Sequence, residues 1–168
     1  MPDPGTSSRL SGEALATWSS LATVLEWLPP ALDAQLQRDA DLTHFEYGVM
    51  FALANAADNT LRMSVLAGYA NSSLSRLSRA ASRLESKGWV RRHADPTDGR
   101  YTLAVLTDRG VRKVDEATPG HVNTVHRLVL DSLTQAQTRQ LREISTRILR
   151  AIRDEEGWRP PPDDARSN

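Results

Sequence analysis

Apolar side chains recur at helical spacing in the first part of the chain. Residues 12–39 carry a stripe whose members are three or four positions apart: Trp18, Leu21, Leu25, Leu28, Leu32 and Leu36. This spacing predicts an amphipathic helix whose apolar face covers either a core or a subunit interface. Pro29 and Pro30 interrupt the stripe, and we expect a kink there because proline removes a backbone donor and crowds the preceding turn.

Two shorter helices are predicted next. A T-x-x-E capping box at Thr43–Glu46 opens a helix whose apolar face ends before Asn55. A polar loop at 55–60 follows, and then a short helix at 65–68 for which Ser64 is the expected cap.

A basic helix begins after residue 70. Asn71 and Ser72 are strong N-cap residues, and Gly88 is a typical C-cap. The expected buried stripe of this helix consists of Leu74, Leu77, Ala81 and Leu84. Its polar side carries the basic residues Arg76, Arg79, Arg83 and Lys87.

The segment after this helix predicts a β-hairpin. Residues 89–93 and 101–106 alternate apolar and polar positions, as strands do, and residues 95–99 (DPTDG) are rich in turn formers. A helix followed by a hairpin is the layout of a winged helix-turn-helix, in which the second helix enters the DNA major groove.

Two more helices complete the chain. Thr107 caps a helix that is expected to reach Leu133, with a kink or pause at Pro119-Gly120. A second capping box, T-x-x-Q, begins at Thr134, and the last helix aligns Leu141, Ile144, Ile148 and Ile152. So small a core cannot bury the apolar faces of all the flanking helices, so we expect the first and last helices to form a dimer.

Charge is distributed unevenly. The chain has 21 basic and 21 acidic residues, yet residues 62–113 contain eleven Lys or Arg and four Asp or Glu. That segment carries a net charge of +7 and the remainder −7. Such asymmetry is typical of a DNA-contacting module on an acidic body, although arginine can also serve as a solvated helix former.

Several classes of site are disfavoured by composition. There is no cysteine, which excludes disulfides, thiolate metal sites and cysteine redox sensing, and fits a cytoplasmic location. No apolar run approaches ~18 residues, so no membrane span is expected. His121 and His126 are five apart, which is not the spacing of paired metal ligands, so no metal or cofactor is expected. Phosphate-loop and nucleophile motifs are absent, which disfavours an enzyme.

Five short elements are spaced along the segment Arg83–Gly110: Arg83-Leu84-Glu85, Gly88, Trp89-Val90-Arg91-Arg92, Asp98-Gly99-Arg100 and Leu106-Thr107-Asp108-Arg109-Gly110. Together they resemble the signature of the MarR family of transcriptional regulators. The motifs resemble those of the family over residues 42–110, and the helices on either side agree with the family in their order along the chain. It implies a mainly α fold with a small β-hairpin wing, acting as a homodimer on double-stranded DNA at a pseudo-palindromic site.

Candidate site residues follow from the residue types and from this resemblance. The expected DNA contacts are Ser72, Ser73, Ser75, Arg76, Arg79 and Arg100. Arg76 and Arg79 are the best candidates for the major groove, and Arg100 at the wing tip for the minor groove. Wing support is expected from an ion pair of Asp98 with Arg83, Arg91 or Arg92. The family is often released from DNA by a small aromatic or anionic ligand, for which the candidate lining residues are Trp18, Trp27, Phe45, Tyr47 and Arg62.

The sequence therefore predicts a DNA-binding regulator, most simply a repressor. The expected organisation is a disordered tail at 1–10, a dimerisation helix at 11–41, a winged-helix core at 42–110, dimerisation helices at 111–156 and a second tail at 157–168 that contains Trp158. The alternative is a winged helix used as a protein-interaction module without DNA binding. Arginine at both the wing tip and the exposed helix face favours DNA.

Overall fold

The computed structural model describes residues 9–155. The two predicted tails lie almost wholly outside that range, as does Trp158. The helices are α1 (Gly12–Ala40), α2 (His44–Ala54), α3 (Met63–Tyr69), α4 (Leu74–Ser86), α5 (Asp108–Val125) and α6 (Gln135–Glu155). The strands are β1 (Thr60–Arg62), β2 (Val90–Ala94) and β3 (Thr102–Leu106). This order confirms the predicted mainly α, winged-helix architecture.

Helix α1 runs without interruption through Pro29 and Pro30. Only its C-terminal half is buried, at Leu32, Gln35, Leu36 and Ala40. Asp41 caps the C-terminus of the helix: its φ of 53° lies in the left-handed region, and its backbone N–H bonds to the carbonyls of the last turn. The apolar stripe predicted from sequence is therefore half core and half exposed surface.

The sheet has three strands, one more than the sequence predicts. The antiparallel order is β1-β3-β2, so β3 lies in the centre. Strand β1 pairs Thr60 with Val105 and Arg62 with Leu103, where a loop was expected up to residue 60. Three residues are too few to show an alternating pattern, and β1 owes its conformation to pairing with β3.

The core lies between α2, α3, α4 and the sheet, with contributions from α1 and α5. Its largest fully buried side chains are Leu36, Leu42, Met50, Leu53, Leu66, Leu77, Leu84 and Val49. Ala80 and Ala81 are also buried, which lets α4 approach its neighbours closely. The prediction that Leu74 belongs to this stripe is wrong, because its side chain is 55% exposed at the start of α4.

Helix starts agree with the sequence except around α3 and α4. Thr43, Thr107 and Thr134 form the predicted hydrogen bonds to the first turns of α2, α5 and α6. The cap of α4 is instead Ser73, whose hydroxyl accepts from the backbone N–H of Arg76 at 3.2 Å. Asn71 adopts a left-handed φ of 41° in the turn between α3 and α4, a conformation that asparagine tolerates.

The helix irregularity that the sequence predicts at Pro119-Gly120 lies further along the chain, after α5. Helix α5 continues through Pro119 and Gly120, and a π-helical turn follows at His126–Leu130. In α6 the aligned apolar side chains Leu141, Ile144, Ile148 and Ile152 are exposed, and so is the neighbouring Leu149. Among the described residues, nothing covers this face of α6.

Candidate nucleic-acid interface

Helix α4 presents a polar face opposite its buried face. Ser75, Arg79, Ser82 and Arg83 are exposed there, and Ser78 is partly exposed. Serine side chains are short, so a ligand surface can approach the helix closely between the longer arginines. The buried Ala80 and Ala81 on the other side pack α4 against the core.

The two arginines predicted to reach the major groove have different surroundings. Arg79 is exposed, and it forms no ion pair with any carboxylate in residues 9–155. The guanidinium carbon of Arg76 lies 4.4 Å from the centre of the Phe45 ring on α2. Arg79 is thus free to reach outward, whereas Arg76 is held along the edge of the helix.

The candidate serines divide by role. Ser73 caps α4, and the Ser72 hydroxyl donates to the Ser73 carbonyl at 3.3 Å. Both hydroxyls are therefore used within the turn that starts the helix. Ser75 is exposed one turn before Arg79 and faces the same way.

At the wing tip, Arg100 forms a bidentate ion pair with Asp98. Its Nε lies 2.9 Å from Asp98 Oδ1, and its Nη2 lies 2.6 Å from Oδ2. The Arg100 guanidinium holds the pKa of Asp98 below its ordinary value. The side chain of Arg100 remains 83% exposed. The sequence predicted that Asp98 would pair with Arg83, Arg91 or Arg92, and this is wrong, because Arg100 is close enough along the turn to take the carboxylate.

The other wing-support candidates have partners of their own. Arg92 bonds to Glu85 at 2.6 Å and to the hydroxyls of Ser78 and Ser82 on α4. This network ties β2 to α4. Arg91 is exposed on β2 and forms no ion pair within residues 9–155.

Arg83 joins α4 to the start of α2. Its Nε lies 2.7 Å from Oε1 of the buried Glu46. Burial raises the pKa of Glu46, and hydrogen bonds from Thr43 and from Arg83 outweigh that effect, so the pKa lies below its ordinary value. Glu46 therefore remains charged, and it serves both the capping box and the ion pair to Arg83.

Asp95 is a wing residue that the sequence analysis missed. It is 6% exposed and accepts from the backbone N–H and hydroxyl of Thr97 at 2.9 and 2.6 Å. Arg62 donates to it from β1. The bonds from Thr97, followed by those from Arg62, lower the pKa of Asp95 from 3.8 to about 2. Asp95-Pro96-Thr97 is an Asx-turn pattern, and that signal could have revealed this role.

One groove joins α4 to the wing. It has a volume of about 430 Å³ and is lined by Met63, Ser64, Leu74, Ser78, Arg92, Arg100, Tyr101 and Thr102. The helix start and the wing tip therefore border the same open surface. Asp95, Asp98 and Glu85 each pair with an arginine, so their negative charges are offset at this surface.

The five candidate ligand residues do not converge. Trp18 and Trp27 are 52% and 76% exposed on α1. Arg62 stacks on Tyr101 at 4.4 Å at the base of the wing, and Phe45 lies beneath Arg76. Tyr47 is buried and lies beside α5. Phe45 lines a cavity of about 250 Å³ on α2 and α3, and the other four candidates do not line that cavity.

A polar cluster that the sequence analysis did not predict surrounds Tyr47. Its hydroxyl lies 3.0 Å from that of Thr118, and its ring centre lies 4.7 Å from that of His121. The rings of His121 and His44 are 5.6 Å apart, and burial followed by the neighbouring His44 lowers the pKa of His121. Nδ1 of both histidines and Oε1 of Gln35 are buried without a hydrogen-bond partner in the described structure.

Comparison with known proteins identifies the family. The MarR family model matches residues 40–100. The fold matches the DNA-bound crystal structure of Sco3205, a MarR family transcriptional regulator from Streptomyces coelicolor, with a TM-score of 0.84, 38% identity and coverage of 96% of each chain. The chain belongs to the MarR family of transcriptional regulators. Members of this family are regulators rather than enzymes, so the sequence-based exclusion of an enzyme is confirmed.

Two further relatives agree with this assignment. AbsC, a MarR family regulator from Streptomyces coelicolor, is 29% identical with a TM-score of 0.83, over 88% of this chain and 99% of its own. The transcriptional repressor MprA of Escherichia coli strain K12 is 27% identical over 100 residues, or 60% of this chain. That match spans only 56% of the length of MprA. None of the helices within residues 9–155 is both long and apolar enough to cross a membrane.

Proposed function

We propose that this MarR family member is a homodimeric repressor that binds a specific site on double-stranded DNA. The observation that carries the proposal is the shared surface of α4 and the wing. Exposed Arg79 and Ser75 lie on the helix, and Arg100 lies at the wing tip, with one open groove between the two elements. The crystal structure of the relative Sco3205 is a complex with DNA, which supports DNA as the ligand of this chain.

In this arrangement α4 lies in the major groove and the wing reaches the adjacent minor groove. Arg79 and Ser75 face base edges, and Arg100 faces the narrow minor groove, whose negative potential attracts a guanidinium. The groove between them accommodates one phosphate backbone, and Arg92 lines it. The paired carboxylates in this region limit repulsion of the phosphates.

A homodimer is supported by the uncovered apolar faces of α1 and α6. Leu15, Trp18 and Leu25 are exposed on α1, and Ile144 and Ile148 on α6. Burying such side chains gains roughly 25 cal/mol per Å² of apolar surface. Two-fold pairing through segments 11–41 and 111–156 would set two copies of α4 about 34–36 Å apart, which is one turn of DNA.

Release by a small ligand is supported by the cluster around Tyr47, which is one of the five candidate ligand residues. Buried polar atoms without partners cost free energy, and Gln35, His44 and His121 supply three of them where α1, α2 and α5 meet. A small molecule carrying both a donor and an acceptor would satisfy them. The region where α1, α2 and α5 meet connects the proposed dimerisation helices to the proposed DNA-binding core.

The decisive experiment is DNA binding by the purified chain. Duplexes selected by the protein from a random pool, together with DNA flanking its own gene, would be titrated at increasing salt. Affinity should fall steeply, because each phosphate contact contributes about −0.9 to the slope of log K against log salt. No binding to duplex DNA at low salt, or a flat salt response, would instead favour a protein-interaction module.

A further inference from the structure

Phe45 lies where α2 meets α4. It occupies the first turn of α2, directly before Glu46 of the capping box. The ring is partly buried and packs against the core. It also lines a cavity of about 250 Å³ together with α3 residues such as Tyr69. The ring is therefore a fixed platform rather than a mobile surface side chain.

Two arginines of α4 bend toward this end of α2. Arg76 and Arg83 are seven residues apart, so they lie on the same edge of the helix. Arg83 pairs with Glu46 at 2.7 Å, and Arg76 stacks on Phe45 at 4.4 Å. Adjacent residues of α2 thus hold both side chains, whereas Arg79 forms no ion pair and no ring contact within residues 9–155.

The donors of Arg76 are available for a ligand. Its guanidinium forms no hydrogen bond or ion pair within residues 9–155, and its contact is with the Phe45 ring, whose centre lies 4.4 Å from the guanidinium carbon. The ring restricts the position of the guanidinium, and the N–H groups remain free to bind an anion. Phosphates lie at the flanks of a helix in the major groove, whereas base edges lie beneath its outer face.

We propose that Phe45 is a positioning residue that holds Arg76 as a phosphate contact, while Arg79 reads bases. The proposal rests on the proposed DNA-binding function, and it changes the role that the sequence suggested for Arg76. Arg76 contributes affinity for any duplex. Arg79 contributes preference for one sequence.

The roles of the two arginines are tested with two probes, a duplex selected by the wild-type protein from a random pool and a duplex of unrelated sequence. Arg76→Ala should weaken binding to both by the same factor and reduce the salt slope by about 1. Arg79→Ala should weaken binding to the selected duplex far more than to the unrelated one. A sequence-selective loss in Arg76→Ala would overturn the assignment.

The role of Phe45 is tested by a double-mutant cycle. Phe45→Leu should weaken binding about 2- to 5-fold in the wild-type background, since a cation–π contact at an exposed site contributes this much. It should have no further effect in the Arg76→Ala background. Phe45→Tyr, which keeps the ring, should bind as the wild type does.

The matched control is Tyr69→Leu, which removes a ring from the same cavity without touching Arg76. It should bind DNA as the wild type does. An equal loss from Phe45→Leu in both backgrounds would show that the ring only supports the fold, and would overturn the proposal. Absence of binding by the wild-type chain to either probe would remove the DNA-binding function itself, a result distinct from loss of coupling.

Discussion

The guanidinium of Arg62 lies 2.8 Å from the carboxylate of Asp95 and joins the end of β1 to the base of the wing. The same guanidinium stacks on Tyr101, at the other side of the wing turn. Asp95 in turn receives two hydrogen bonds from Thr97, and its backbone N–H donates to the Tyr101 carbonyl. One buried carboxylate therefore organises the turn that presents Arg100.

Stability should depend on the charge of Asp95. Its folded pKa of about 2 lies below the ordinary 3.8, so its ionised form stabilises the fold above pH 4 and this contribution is lost as pH falls toward 2. Urea unfolding should show Asp95→Asn to be less stable than the wild type near pH 7. The difference should shrink between about pH 4 and pH 2. If the stability difference between the wild type and Asp95→Asn stayed constant over this pH range, the charge of Asp95 would not contribute to stability.

Arg100→Ala should weaken DNA binding on the order of 1–3 kcal/mol, because the wing loses its only arginine at the tip. Fluorescence anisotropy titration with a selected duplex measures the change, and sedimentation should show an unchanged oligomeric state. Arg139→Ala, which removes an exposed positive charge from α6, is the matched control and should bind normally. Equal affinities for Arg100→Ala and Arg139→Ala would show that the wing tip does not contact DNA.

Gly110→Ala should lower the free energy of unfolding by about 1–3 kcal/mol, the usual range for an overpacked site. An added Cβ would meet the carbonyl oxygen of Trp89 and lie 2.7 Å from Leu106 Cδ1. Gly48→Ala is the comparison, since nothing lies within 4 Å of its Cβ position in α2. That change should raise stability by about 0.5–1 kcal/mol. Urea denaturation that moves both variants in the same direction would contradict the packing argument.

Ile148→Glu should convert the proposed dimer to monomers, because a charge would be placed in an apolar interface. Thr146→Glu introduces the same side chain on another face of α6 and should leave the assembly intact. Sedimentation velocity at micromolar concentration distinguishes the two. A dimer that survives Ile148→Glu would move the interface away from this face of α6.

Local signals in the sequence determined most of the secondary structure. The sequence predicted the starts of α2, α5 and α6 from their capping residues Thr43, Thr107 and Thr134, and the end of α4 from Gly88. These predictions succeed because each residue acts through hydrogen bonds or dihedral angles within a few residues of itself. The β-hairpin and the family resemblance could likewise be predicted from the sequence, since the alternation of apolar and polar residues and the run of turn-forming residues are local patterns. The exceptions, such as the π-helical turn after α5, have no such signal.

Only the tertiary structure decided how the charged and aromatic side chains pair. Arg62 and Asp95 are 33 residues apart, and Arg83 and Glu46 are 37 apart. Their contacts depend on how the elements pack, and spacing along the chain says nothing about that. The same holds for exposed Leu74 and for Arg76 on the ring of Phe45. The sequence by itself determined that a basic helix precedes a wing, and packing decided which of its arginines are held and which is free.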